Sequence, residues 1–151
     1  MLKAKDYPAG SPIYTFIHDK GENFHIDSVR LRLWCLKNNP EIFLVPVDPS
    51  IGKEYIRDKV VSQRRLLQLF KRYNSSKEDI EPIIFGRFPY PPPDAMLIDG
   101  HHRFTLASMF KAEFISAFVL EIPQWEAFRI EGLPDLTQKV LRNRPVAERN
   151  Y

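Results

Sequence analysis

The apolar positions of this chain fall into short runs punctuated by proline, glycine and asparagine, and the runs change period along the sequence. After a loose lead from Met1 to Ser11, Ile13-Tyr-Thr-Phe-Ile17 predicts a short strand, closed by the polar turn from His18 to Asn23. The next run fits both periods. Val29, Leu31, Leu33 and Cys35 alternate as a strand would, while Val29, Leu33 and Leu36 share a helix face. Asp27 as N-cap and Asn38-Asn39-Pro40 as exit favour a helix over 28–37. Glu41 to Asp48 predicts a strand whose Pro46 belongs at a sheet edge or a strand terminus.

Between Lys53 and Tyr73 the apolar residues Ile56, Val60, Leu66, Leu67, Leu69 and Phe70 are interleaved with cations, which predicts one or two amphipathic helices with a basic outer face. A turn-rich break, Asn74 to Asp79, leads to a strand at Ile80 to Phe85. The proline-rich stretch Arg87 to Pro93 reads as a stiff surface connector. Met96-Leu-Ile98 then suits a buried strand, and Phe104, Leu106, Ala107 and Phe110 recur at helical spacing. With the apolar run Phe114 to Ile122 this makes a βαβ-like unit that buries its helix against a sheet. Trp125 and Phe128 are expected to pack on the domain, Pro134 to Leu141 to form a short helix, and Arg142 to Tyr151 to fray.

Composition narrows the class more than the function. A chain of 151 residues, 44% hydrophobic, can bury one good core and is short for two ordinary domains. The expected organisation is one α/β domain with a mixed sheet: an N-terminal strand-helix extension over 1–40, a core over 41–122 and a C-terminal segment over 123–151. The 22 Lys and Arg against 19 Asp and Glu leave +3, which permits a nucleic-acid partner without arguing for one. If DNA is touched, the candidate surface is Arg57, Arg64, Arg65, Lys71 and Arg72. Cys35 is the single cysteine, so neither an internal disulfide nor a cysteine-based zinc site is possible. No run approaches the ~18 apolar residues of a membrane span, and the early Asp6, Pro8 and Gly10 break any signal-peptide core, so a cytoplasmic setting is expected.

Candidate chemistry concentrates in Asp99-Gly-His-His-Arg103, at the turn between predicted strand and helix. The first N–H groups of a helix lack intrahelical partners and lie at the positive end of its dipole, so this position attracts anions. Gly100 lets backbone approach a ligand closely, and Arg103 can fork two hydrogen bonds onto a phosphate or carboxylate. The structural alternative has Gly100 making the turn, one histidine capping the helix, and Arg103 binding a carboxylate elsewhere. His18, His25, His101 and His102 are the only histidines. Adjacent histidines diverge from a helix start, so zinc is not expected. Magnesium, completed by a nucleotide's own phosphates with Asp99 as a ligand, suits the site better.

The motif Asp99-Gly-His-His-Arg-Phe104, entered from an apolar strand and followed by a helix and another strand, resembles the signature of the ParB/sulfiredoxin-like superfamily. Phe43-Leu-Val-Pro-Val-Asp48 and Glu81-Pro-Ile-Ile-Phe85 resemble the opening and middle strands of that domain, in the same order, so the resemblance covers about residues 42–122. It implies that Gly100, His101, His102 and Arg103 cradle nucleotide phosphates, from ATP, ADP or CTP, with Mg. Sulfiredoxins have a cysteine where this chain has His101, so their chemistry is not expected. The arginine-rich box of chromosome-partitioning ParB proteins is not recognisable in 48–57, and residues 123–151 are too few for their helix-turn-helix domain, so a sliding clamp is not expected either.

The Asp-Gly-His-His-Arg form more nearly resembles the free-serine kinases and related uncharacterised proteins of that superfamily. This likeness implies Glu54 as the base that activates a hydroxyl, although Lys53 stands where those kinases usually have a histidine. Glu54, Asp99 and His102 are the candidate catalytic residues. The expected function is Mg-assisted phosphate chemistry on a nucleotide: hydrolysis, phosphoryl transfer or nuclease-type cleavage. The alternative is a non-catalytic, nucleotide-gated or DNA-contacting interaction module.

Overall fold

The computed structural model describes residues 2–3, 5, 13–17, 23–73, 80–88 and 95–132. Its centre is a mixed four-stranded sheet of order β4-β7-β5-β6, built from β4 (Ile42–Pro46), β5 (Ile83–Arg87), β6 (Ala95–Asp99) and β7 (Phe114–Leu120). β4 runs antiparallel to β7, β7 parallel to β5, and β5 antiparallel to β6. The chain is therefore of the α/β class. The expected βαβ unit takes another form. The strand before the central helix and the strand after it are not neighbours; β5 pairs with β7, and β6 is folded back beside β5 as a hairpin partner.

Successive residues of the inner strands divide between two cores. Ile84, Ile98 and Phe118 join one cluster, while their neighbours Ile83, Leu97 and Ala117 join the other. This is the period-2 alternation of a pleated strand with apolar matter on both faces. It explains why these segments read as unbroken apolar runs. The outermost strand, β4, is different: Ile42, Phe43 and Leu44 are exposed, and Pro46, which has no N–H to give to a further strand, ends it at the sheet edge as its sequence predicts.

One face is covered by the N-terminal part of the chain. A hairpin of β2 (Tyr14–Ile17) and β3 (Asn23–Ile26) and the helix α1 (Ser28–Asn38) place Tyr14, Phe24, Ile26, Leu31 and Cys35 in the first core, with Trp125 from α5 (Ile122–Glu126). The caps decide the ambiguous run in favour of helix. Asp27 accepts from the Arg30 N–H at 2.9 Å, and Asn39 closes the helix in the left-handed conformation at φ 46°. Ser28, Leu31 and Cys35, three and four apart, point inward, and the strand-like alternation is broken because Val29 and Leu33 point out. Two residues of the lead, Leu2–Lys3, form β1 and pair in parallel with β8 (Ile130–Glu131).

The other face holds α2 (Pro49–Arg57), α3 (Gln63–Tyr73) and α4 (His101–Met109). The start of α2 is written in the sequence as Asp48-Pro49: Asp48 accepts from the Ser50 N–H at 2.9 Å and proline occupies the first turn, where its missing N–H costs nothing. α4 is buried from His101 to Ala107 without an exposed face, because α2 and α3 cover the sides that the sheet does not. Gly52 is what lets α2 come so close: a Cβ there would lie 2.7 Å from the Ser108 hydroxyl. Trp125 is buried and Phe128 partly buried against the first core, as expected. The turn at 18–22, the break at 74–79, the proline stretch at 89–94 and the helix predicted from Pro134 lie outside the described residues. No helix among the described residues is long and apolar enough to cross a membrane.

Candidate anion site at the start of α4

The turn that delivers β6 into α4 depends on Gly100. Its φ of 111° belongs to the left-handed region, and a Cβ would run into the side chain of Ile83, 2.7 Å from that residue's own Cβ. As the N-cap of α4 it brings no side-chain oxygen to the first N–H groups. The three residues that follow point to different places.

His101 is held between two tyrosines. Tyr14 from the N-terminal hairpin stacks on its ring at 5.8 Å and 24°, and Tyr55 from α2 meets it edge-on at 5.2 Å. Burial there penalises the imidazolium and pushes the pKa down to about 4, so the ring is neutral near pH 7. His102 lies inside, and its Nε2 accepts the Ser62 N–H at 3.0 Å, which fixes the loop leading into α3.

Arg103 has its guanidinium turned into the protein. One terminal nitrogen, Nη1, donates to the carbonyl oxygens of Glu81 at 3.1 Å and Pro82 at 2.7 Å, and Nη2 donates to Asp99 Oδ2 at 2.7 Å. Part of the structural alternative is met: Gly100 makes the turn and Arg103 holds a carboxylate, but that carboxylate is Asp99 of the motif itself, and His101 and His102 turn to the tyrosines and to Ser62. The Asp99 carboxylate is buried against Arg103 as its ion-pair partner. Among the described residues no group of three or more His, Cys, Asp or Glu could hold a metal ion.

Beside this pair, three further arginines converge. Arg32 from α1 and Arg65 and Arg72 from α3 line one pocket with Glu81, Gly100, His102 and Arg103. Glu81 is the carboxylate among them, hydrogen-bonded to Arg32 and 3.8 Å from Arg72. Burial alone would raise its pKa, but the hydrogen bond from Arg32 and the charges of Arg32, Arg103 and Arg72 outweigh it and hold the carboxyl below its usual range. Arg65 experiences the reverse. Burial and the repulsion of Arg72, Arg32 and Arg103 lower its pKa, and its buried Nε has no hydrogen-bond partner among the described residues. The space left between these groups is small, about 20 Å³.

The structure thus brings Gly100, His102 and Arg103 together at one pocket, and separates His101, which faces the tyrosines. Glu54 sits exposed on α2, next to the Tyr55 that touches His101. The basic face proposed for DNA is divided: Arg57 pairs with Asp58 at 3.0 Å, Arg64 and Lys71 are exposed on α3, and Arg65 and Arg72 line the pocket. Cys35 is a core residue, its thiol pushed up to about 12 by burial and by the Asp99 charge. Sequence reasoning missed Arg32 and Glu81, and it did not connect Arg65 and the exposed Arg72 with the motif. One signal was available: Leu66, Leu69 and Tyr73, the buried stripe of α3, flank Arg65 and Arg72 at its margin. Nothing in the sequence links Arg32 to Glu81.

In comparisons with protein-family models, curated proteins and solved structures, nothing matches this chain.

Proposed function

We propose that this chain is a nucleotide-binding protein which grips its ligand by the phosphates at the pocket of Arg32, Arg65, Arg72 and Arg103, and that it works as a binding module. The observation that carries this reading is the convergence of four guanidiniums from three helices on the start of α4. Like charges held together cost free energy unless an anion offsets them, and guanidiniums are the groups best shaped to fork onto phosphate oxygens. A ParB/sulfiredoxin-like core over 41–122 is part of the proposal. Its support is the ordered resemblance of the strands at 43–48 and 81–85 and of the motif at 99–104. In this reading Arg32, Arg65 and Arg72 supply the donors, and Arg103, held by Asp99 and two carbonyls, adds its charge to the pocket while shaping the turn.

A catalytic version, with Glu54 as base, draws its support from the exposed position of that residue on α2, the helix packed against α4. One assay separates the two. The protein is incubated with ATP, ADP or CTP in the presence of Mg, with and without DNA, and both binding and release of phosphate or nicking are followed. The module binds without turnover, and Arg65→Ala and Arg72→Ala each weaken binding. Turnover lost in Glu54→Ala with binding retained would establish the enzyme instead. Nucleotide affinity that is the same in wild type, Arg65→Ala and Arg72→Ala would sink the phosphate site in both versions.

A further inference from the structure

The pocket already contains an anion of the protein's own, and the two carboxylates beside the arginines are not equivalent. Asp99 is buried with Arg103, with side-chain exposures of 2% and 7%, and has nowhere to go. Glu81 stands at the rim with 32% of its side chain exposed, so its carboxylate can rotate outward. Its backbone stays in place when it does, because Arg103 Nη1 holds the carbonyl of Glu81 and that of Pro82. The space left beside the Glu81 carboxylate, about 20 Å³, holds little more than one water, so a phosphate that reaches these arginines at depth takes that carboxylate's position.

Resting on the phosphate-binding reading above, we propose that Glu81 is an internal placeholder that the dianionic phosphate of a phosphomonoester displaces, so that the site takes terminal phosphates and rejects phosphodiesters. The selectivity follows from charge. Glu81 gives the arginines one negative charge, and a phosphodiester also carries one, so exchanging them gains no electrostatic energy. A phosphomonoester above its second pKa of about 6 carries nearly two, and gains one charge's worth of attraction to Arg32, Arg65 and Arg72. Size points the same way, since a diester brings a second substituent on phosphorus into a space bounded by Leu69 and Tyr73.

The test is calorimetric titration of the whole chain at pH 7.5 and fixed ionic strength with adenosine 5′-monophosphate, adenosine 3′,5′-cyclic monophosphate and adenosine. The monoester is expected to bind at least about tenfold tighter than the cyclic diester, and Glu81→Gln, which keeps the shape and removes the charge to be displaced, to tighten monoester binding by about tenfold. Equal affinity for monoester and cyclic diester in the wild type overturns the inference, and that comparison needs no variant to fold. A folded Glu81→Gln, checked by its thermal melt, that binds the monoester no better than wild type overturns it as well. A different failure belongs to the underlying reading. If wild type binds none of the phosphates, or binds the monoester equally well as Arg65→Ala and Arg72→Ala, the pocket is not a phosphate site, and the placeholder falls with it.

Discussion

Asp99 and Arg103 stand four residues apart, on either side of the turn into α4, and close a buried ion pair of 2.7 Å. The guanidinium is satisfied on its other side by the carbonyls of Glu81 and Pro82, so this contact ties the end of β6, the start of α4 and the entry to β5 together. Removing one member leaves a charge buried without its counter-ion. Asp99→Ala is expected to lower unfolding free energy by about 3–5 kcal/mol in urea denaturation, and Asp99→Asn, which keeps an acceptor for Arg103, by less. A loss under 1 kcal/mol for Asp99→Ala would show that the pair contributes nothing to holding the turn.

Gly100→Ala tests the turn itself. The substitution imposes a Cβ on a φ of 111° and drives it into Ile83, a residue with no exposed surface. A loss of about 2–4 kcal/mol is expected from strain and overpacking together. The check is the midpoint of chemical denaturation, and a variant as stable as wild type would mean that the turn is shaped differently.

The neutral His101 makes stability depend on pH in a defined window. In the unfolded chain the imidazole takes up a proton as pH falls below about 6.5, whereas in the folded chain it stays neutral down to about 4. Between those values the unfolded state binds more protons, so stability falls as pH is lowered through the window and levels off below it. The full effect is on the order of 3 kcal/mol. Replacing the ring with a non-titrating one, as in His101→Phe, should flatten the slope of unfolding free energy between pH 6.5 and 4.5. An unchanged slope would remove His101 as its source.

Arg65 is the residue whose removal should separate stability from binding. Its guanidinium is repelled by Arg72, Arg32 and Arg103. Without ligand, Arg65→Gln is expected to match or exceed wild-type stability by about 0.5 kcal/mol, a modest gain because the group is only partly buried and solvent screens the repulsion. The same variant should bind nucleotide more weakly. Parallel thermal melts and binding titrations check both, and a clear loss of stability would make Arg65 a structural residue.

The start of α4 was legible in the sequence because two signals coincide there, a glycine at the end of an apolar strand and apolar residues at helical spacing after it. The caps of α1 and the edge position of Pro46 were legible for the same reason: each is set by neighbours along the chain. The pairing of Asp99 with Arg103 was not foreseen although their four-residue spacing was in plain sight. Strand and helix residues at that spacing across a turn do not face each other by periodicity alone, and only the left-handed turn at Gly100 brings them together. Beyond Gly100, His102 and Arg103, the pocket could not be read. Arg32 and Glu81 are 49 positions apart, and their meeting follows from α1 packing across the sheet, a tertiary outcome that no local pattern encodes.

That separation has a kinetic meaning. A site drawing on positions 32, 65, 72, 81 and 103 cannot be present in a partly folded chain that has built only the hairpin or only the α3–α4 pair. Closing such distant contacts is the slow part of folding, because loop entropy is lost before the contacts reward it. An anion that recognises the finished pocket would bind the native state alone, raise its melting temperature in proportion to the logarithm of its concentration, and so serve as a probe of whether the last long-range contact has formed.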